Sequence, residues 1–494
     1  MAWDYDRSLE RIKQKHAEVA DIEVSKLARE MDFDNIALKH PKRVHGAHVY
    51  VDVLNFADIV GKNLEDGSEP KLLRRLHLHA RELTKVCESD FDAAKVHFQG
   101  PKLHAVVYRP IDDDEAILRC AFALATAARR TVEEVCNELF DDDSWEIAAG
   151  IDIGDTVATK NNVRGDRELL FLGNAANMAA KIISEGILVT ERAADAAPAD
   201  LAGYLTETAS GAYELDLPDD QLDALVEDEG WGWSLEGSWT RVEDAMDKCP
   251  PDRVKVSKAT GEIDKTKLGL SNSKRVTGAS FFADVDGFTA YVDEAAGSDD
   301  DLVEAVQAYH VIRSEMRYVA VEDYGALRIQ YAGDRMQAIA FLPIDDEAAI
   351  SRKAVEIAAG LHASVKHTLP VVLGDAVRPL AIGEALGAAL ISRLGEHGQP
   401  DVVCVGPATE AAVRYQQALK GWETGISKEI RDQLPDDLAA EFKWRAKAGC
   451  YVADHLTADK LDRLEEGRRL DSGSAAPLLR PEGQGDTSGR PYQP

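Results

Sequence analysis

At ~150 residues per domain, a chain of 494 residues is too long for one compact domain and predicts two to four. Hydrophobic residues make up 45% and charged residues 29%, an ordinary globular balance, while 57 Lys plus Arg against 88 Asp plus Glu leave a formal net charge of −31. Such a surface repels nucleic acid and anionic lipid, so neither partner is expected, and an anionic substrate needs metal ions or a local basic pocket.

Residues 1–40 read as a helical lead-in with Leu9, Ile12, Val19, Ile22 and Leu27 as its apolar set. Its start, Met1 to Lys13, lacks the apolar core of a signal peptide. A first domain is expected over 41–250: a strand at Ala47–Leu54, a helix at Glu115–Leu139 and a strand at Glu146–Ile153. The polar segment 251–271 reads as a linker. A second domain, 272–465, repeats the order with a strand at Ala279–Val285 and a helix at Leu302–Val321. Short strands Arg328–Tyr331 and Met336–Phe341 then meet at a Gly333–Asp334 turn, before a helix at Glu347–His367 and a strand at Pro379–Leu386. Residues 466–494 have the Pro/Gly/Ser composition of disorder. The six cysteines form no CxxC pair, which predicts reduced thiols in a cytoplasmic protein, and no apolar run approaches the ~18 residues of a membrane span.

The two domains are copies. KRVHGAHVYVDVLNFADIV from Lys42 and KRVTGASFFADVDGFTAYV from Lys274 share nine of nineteen positions. GPKLHAVVY with GDRMQAIAF, and LGNAANMAAK with VGPATEAAVR, follow in the same order at an almost constant offset. Each copy reads as a ferredoxin-like βαββαβ unit, an α+β fold. The tryptophans Trp231, Trp233 and Trp239 have no counterpart in the second copy and are assigned to packing or a domain contact.

The chemistry concentrates in FADVDGFT, Phe282–Thr289, where a strand ends on Asp284 and turns through Gly287. With Asp334 at the tip of the following hairpin, two carboxylates on neighbouring strand ends suit a pair of divalent cations and in-line attack at phosphorus. Together FADVDGFT, GDRMQAIAF and NAANMAAK resemble the signature blocks of class III nucleotidyl cyclases. That resemblance implies two domains paired head to tail, one supplying metal-binding Asp residues and the other an Asn for the ribose and an Arg for the transition state.

Carried onto this chain, the resemblance makes Asp284, Asp334 and the Val285 carbonyl ligands for two Mn²⁺ or Mg²⁺ ions. It makes Asp286, Gly287, Phe288 and Thr289 the phosphate loop, and Asn177 with Lys181 (Lys where Arg is usual) the catalytic pair. The second interface site is degenerate: Asp52 faces Glu410 and Arg414, and Pro101 replaces its second Asp. The family's phosphate-binding Lys has no evident position. Gln330 and Leu170 stand at the base-reading positions, lacking the adenine-reading Lys/Asp pair and the guanine-reading Glu. His97 matches Gln330 in the repeat and is assigned to the degenerate site; with His104 it reads as an ordinary strand histidine.

The chain thereby resembles the pyrimidine cyclases of Pycsar anti-phage systems. The implied substrate is a nucleoside triphosphate, UTP favoured and CTP possible, and the cyclic product acts on a cyclic-nucleotide-responsive effector. Either a monomer paired within itself or a homodimer satisfies the architecture. Two alternatives are a purine cyclase with atypical base contacts and a non-catalytic nucleotide-binding regulator on the same fold.

Overall fold

The computed structural model describes residues 2–29, 31–140, 143–160, 168–396 and 400–471. In the first half, Lys42–Val53 is the central strand, antiparallel to Lys102–Val107 on one side and Ile147–Lys160 on the other. Ser273–Val285 sits likewise between Arg335–Ala340 and Leu380–Leu394 in the second. The two α+β sheets follow the same strand order, so the fold is two tandem ferredoxin-like domains with additions.

Period-two alternation gives each sheet two different faces. Phe281, Ala283 and Val285 point into a core beneath the helix Asp299–Arg317, which buries Leu302, Val306, Tyr309 and Met316 at helical spacing. That helix starts where the Ser298 side chain accepts from the Asp301 amide, with three Asp residues in its first turn complementing the dipole. Ser280 and Phe282 occupy the opposite face, against a short helix, Pro407–Gln417. The equivalent helix of the first half, Asn174–Lys181, crosses so close to its sheet that a Cβ at Gly150 would lie 2.0 Å from the Ala179 carbonyl oxygen.

The halves pack reciprocally. Val157, Leu170 and Leu172 join the second half's core, while Leu390, Val403 and Val405 join the first half's. Two ion pairs, Arg43 with Asp299 and Arg275 with Glu69, repeat the same contact in the two directions. This is head-to-tail pairing within one chain.

Three expectations are revised. Val256–Lys258, placed in the linker, pairs in parallel with Ser273–Arg275 as an added strand of the second sheet, just as Ser25–Lys26 pairs with Lys42–Arg43 in the first. Among the described residues of 1–40, the helix Tyr5–Val19 is followed by this short strand and a 3₁₀ turn at Phe33–Asn35, and the helix packs on the second half. There Arg11 pairs with the buried carboxylates Glu315 and Asp323. Trp233 does have a counterpart: its Nε1 donates to Thr131 Oγ1 at 3.1 Å, and Trp3 Nε1 donates to Ser364 Oγ at 2.7 Å. Trp3 lies at the N-terminus, far in sequence from the half it packs on, so the pairing is visible only in the fold.

The final helix, Ala458–Asp471, continues past residue 465, and the rest of the tail lies outside the described residues. All six cysteines are buried and unpaired. Among the described residues no helix is long and apolar enough to cross a membrane.

Candidate active site at the domain interface

Asp284 is the penultimate residue of its strand and Asp334 lies in the hairpin turn beside it, which places both carboxylates at one end of the second sheet. Burial pushes both above the ordinary carboxylate range, and the charge on Asp284 raises Asp334 further. Two opposing charges lower them: Arg335 from the same hairpin and Lys181 from the other half of the chain. Gln416 Nε2 donates to Asp284 Oδ2 at 3.2 Å, fixing that carboxylate's orientation.

The facing wall is the helix Asn174–Lys181. Asn177 Nδ2 donates to Thr289 Oγ1 across the interface at 3.3 Å, and the Asn174 amide donates to Asp293 Oδ1 at 3.0 Å. Asp284, Asp334, Thr289, Asn177 and Lys181 therefore share one cleft. Gly287, at φ +77°, turns the chain into the helix Phe288–Ala295. Its first-turn amides at Phe288 and Thr289 have no intrahelical partner and suit an anion. The Phe288 ring is buried against Tyr309, with centroids 5.5 Å apart, and anchors the turn. The Asp286 amide belongs to the sheet instead, bonded to the Pro379 carbonyl at 2.9 Å, and its carboxylate accepts from the Gly421 amide at 2.7 Å. Asp286 thus shapes the loop and offers no amide to a phosphate.

The opposite cleft is built differently. Lys102 Nζ lies 2.7 Å from Asp52 Oδ2, so an ammonium takes the place next to the lone carboxylate where a cation would sit. Burial, then the charge on Asp52, raises Glu410 to about 7. Arg414 is exposed and lies against Tyr415. A cavity of about 280 Å³ opens here between Asp52, Pro101, Glu410 and Gln330.

Gln330 is therefore a correction. It lines the cleft of Asp52, away from the Asp284 cleft, and its Nε2 donates to Gln337 Oε1 at 3.3 Å. The cause is topological: Asp334 sits in the turn, whereas Gln330 projects from the interface face of the sheet, which head-to-tail pairing aims at the other site. The repeat sends His97 to the equivalent position of the Asp284 cleft. Around it, Tyr50 stacks on His104 at 4.1 Å, and His104 Nε2 lies 3.0 Å from His48 Nδ1. Burial drives His97 down to about 3, so its ring is neutral. Leu170 is fully buried in the same apolar cluster as Val285 and Phe288, bordering the Asp284 cleft. The sequence signal for this exchange was the pairing rule itself, applied to the hairpin as well as to the signature blocks.

Comparisons with known proteins bear on the family and the fold. A uridylate cyclase of Pseudomonas aeruginosa is 30% identical over 453 residues, 87% of this chain and 86% of its own length. The chain belongs to the class III nucleotidyl cyclase family. A second uridylate cyclase, from a Rhizobium species, is 29% identical over 467 residues, 88% of this chain and 87% of that one. A crystal structure described as a class III adenylyl cyclase-like ATP-binding protein from Pseudomonas aeruginosa superposes with a TM-score of 0.83 at 26% identity. That match covers 94% of this chain and 99% of the other. No family model matches. As a nucleotidyl cyclase, the chain joins a ribose hydroxyl to the α-phosphorus of its own nucleotide with loss of pyrophosphate.

Proposed function

We propose that this cyclase converts UTP to 3′,5′-cyclic UMP and pyrophosphate, with CTP as the lesser substrate, in the single cleft between Asp284/Asp334 and Asn177/Lys181. The observation that carries the assignment of the cleft is the contact across the interface in which Asn177 Nδ2 donates to Thr289 Oγ1 at 3.3 Å, with Lys181 of the same helix lowering both carboxylates of the other half. The base assignment rests on the likeness to two uridylate cyclases over most of the chain.

The donor set fits divalent ions. Asp284, Asp334 and the Val285 carbonyl are hard oxygen ligands, and Mg²⁺-type ions are held by one or two carboxylates plus substrate phosphates, without a larger protein cage. No group of three or more His, Cys, Asp or Glu side chains gathers among the described residues. Bound Mn²⁺ or Mg²⁺ supplies Lewis acidity toward the attacking hydroxyl and the phosphate oxygens.

Asn177 holds the ribose so that its 3′-oxygen points at the α-phosphorus, which converts orientation into rate. Lys181, a mobile point charge, offsets the negative charge that grows on the α-phosphoryl oxygens. The Phe288 and Thr289 amides receive the terminal phosphates. His97, neutral and next to the Tyr50–His104 stack, accepts at Nε2 from Gln99 Nε2 at 2.9 Å, which leaves its Nδ1–H to donate to a carbonyl of the uracil edge. The product acts as a second messenger for a cyclic-nucleotide-responsive effector in anti-phage defence, a role that rests on the resemblance to Pycsar cyclases.

The test is to incubate the purified chain and Mn²⁺ with UTP, CTP, ATP or GTP separately, reading products by mass spectrometry. Cyclic UMP in excess over the other three is expected. A cyclic purine nucleotide as the main product would overturn the base assignment, and no cyclic product from any of the four would overturn the reaction.

A further inference from the structure

What His97 can offer a base depends on which ring nitrogen carries its proton. The ring is neutral, so one nitrogen donates and the other accepts. Gln99, two residues along the strand Ala94–Gln99 and on the same face, makes that choice. Its Nε2 lies 2.9 Å from His97 Nε2. Arg335 Nη2, from the other half of the chain, donates to Gln99 Oε1 at 3.3 Å.

The two ends of a primary amide have the same shape, so their partners decide which is oxygen. A guanidinium has donors only, and turning the amide NH₂ toward it would set donor against donor. Arg335 therefore holds Oε1 on its own side and leaves Nε2 to donate to His97. His97 Nε2 is then the bare acceptor, and the proton lies on Nδ1. That Nδ1 has no partner among the described residues, and His97 keeps part of its surface open, whereas Nδ1 of the neighbouring His104 is sealed. The link is missing from the other cleft. By the repeat, Gln99 corresponds to Ala332, which has no amide, and Arg335 to Lys102, which is held by Asp52 at 2.7 Å. Gln99 and Arg335 also border the Asp52 cavity, so the link is part of the wall between the clefts.

Resting on the reading that His97 meets the base, we propose that Gln99 is the positioning residue that sets UTP above CTP. Anchored by Arg335, it keeps the His97 proton on Nδ1, which donates to the 4-oxo group of uracil and opposes the 4-amino group of cytosine.

The experiment uses the full chain and has two readouts. Nitrogen NMR of the ¹⁵N-histidine-labelled protein without nucleotide reads the tautomer, with His97→Gln identifying the His97 signals. A protonated Nδ1 and a bare Nε2 are expected. Equimolar UTP and CTP with Mn²⁺ are then given to the parent and to Gln99→Leu, which fills similar space with neither donor nor acceptor. The ratio of cyclic UMP to cyclic CMP is expected to fall about fivefold, the worth of one neutral hydrogen bond. Gln99→Glu can only accept, so a neutral His97 must put its proton on Nε2, and the ratio is expected to turn toward cyclic CMP. A proton on Nε2 in the parent, or a UTP preference unchanged in Gln99→Leu, overturns the inference and leaves the base reading standing. A parent with no preference for UTP over CTP overturns the base reading, and the inference with it.

Discussion

Glu384 is fully buried on the strand Leu380–Leu394, and neither carboxylate oxygen has a hydrogen-bond partner among the described residues. The matching residue of the first half is Ile151, a core position. Burial alone raises Glu384 from 4.5 to about 8. The sign follows from linkage: below pH 4.5 the folded and unfolded chains are both protonated, and the shift has no effect on stability. Between pH 4.5 and about 8 the unfolded chain releases a proton that the folded chain keeps, so stability falls by ~1.4 kcal/mol per pH unit. At pH 7 the loss is about 3 kcal/mol, and above pH 8 it is constant. Glu384→Gln removes the titration at nearly constant shape. Urea denaturation of both proteins at pH 5, 6, 7 and 8 should show the variant gaining on the parent by about 1 kcal/mol for each pH unit. An advantage that stays level from pH 5 to 8, or a disadvantage that grows, would refute the reasoning.

Lys181→Ala should lower kcat by ~10²–10³ with little change in KM, the loss typical of one transition-state donor, while Lys181→Arg should retain activity; steady-state kinetics decide. Removing Arg11 leaves Glu315 and Asp323 buried without their main partner, so Arg11→Ala should cost about 3–5 kcal/mol and expose the N-terminal helix to limited proteolysis. His97→Ala should shift the ratio of cyclic UMP to cyclic CMP, whereas Gln330→Ala should leave it unchanged, read by mass spectrometry of mixed-substrate reactions.

Much of this architecture was legible because duplication writes each signal twice. Strand alternation and the Gly333–Asp334 turn located the two sheets and set Asp284 and Asp334 on neighbouring strand ends, while the roles proposed for Asn177 and Lys181 came from the resemblance of the signature blocks. The parts that sequence concealed depend on which face or which half an element meets. Gln330 sits on the same strand whichever cleft it serves, and only the pairing of the halves assigns it. The N-terminal helix carries ordinary amphipathic spacing, and nothing local says that it packs on the distant half through Arg11. Val256–Lys258 looks polar because an edge strand of three residues buries little.

The central claim is that one cleft works and the other does not. Turnover of UTP by Asp284→Asn and by Asp52→Asn tests it most directly, with both variants folded by circular dichroism. The account predicts below 1% of parent activity for Asp284→Asn, taking the loss as at least ~10²-fold for a removed transition-state contact, and activity within about twofold for Asp52→Asn. Equal losses in the two variants, or a greater loss in Asp52→Asn, would contradict it.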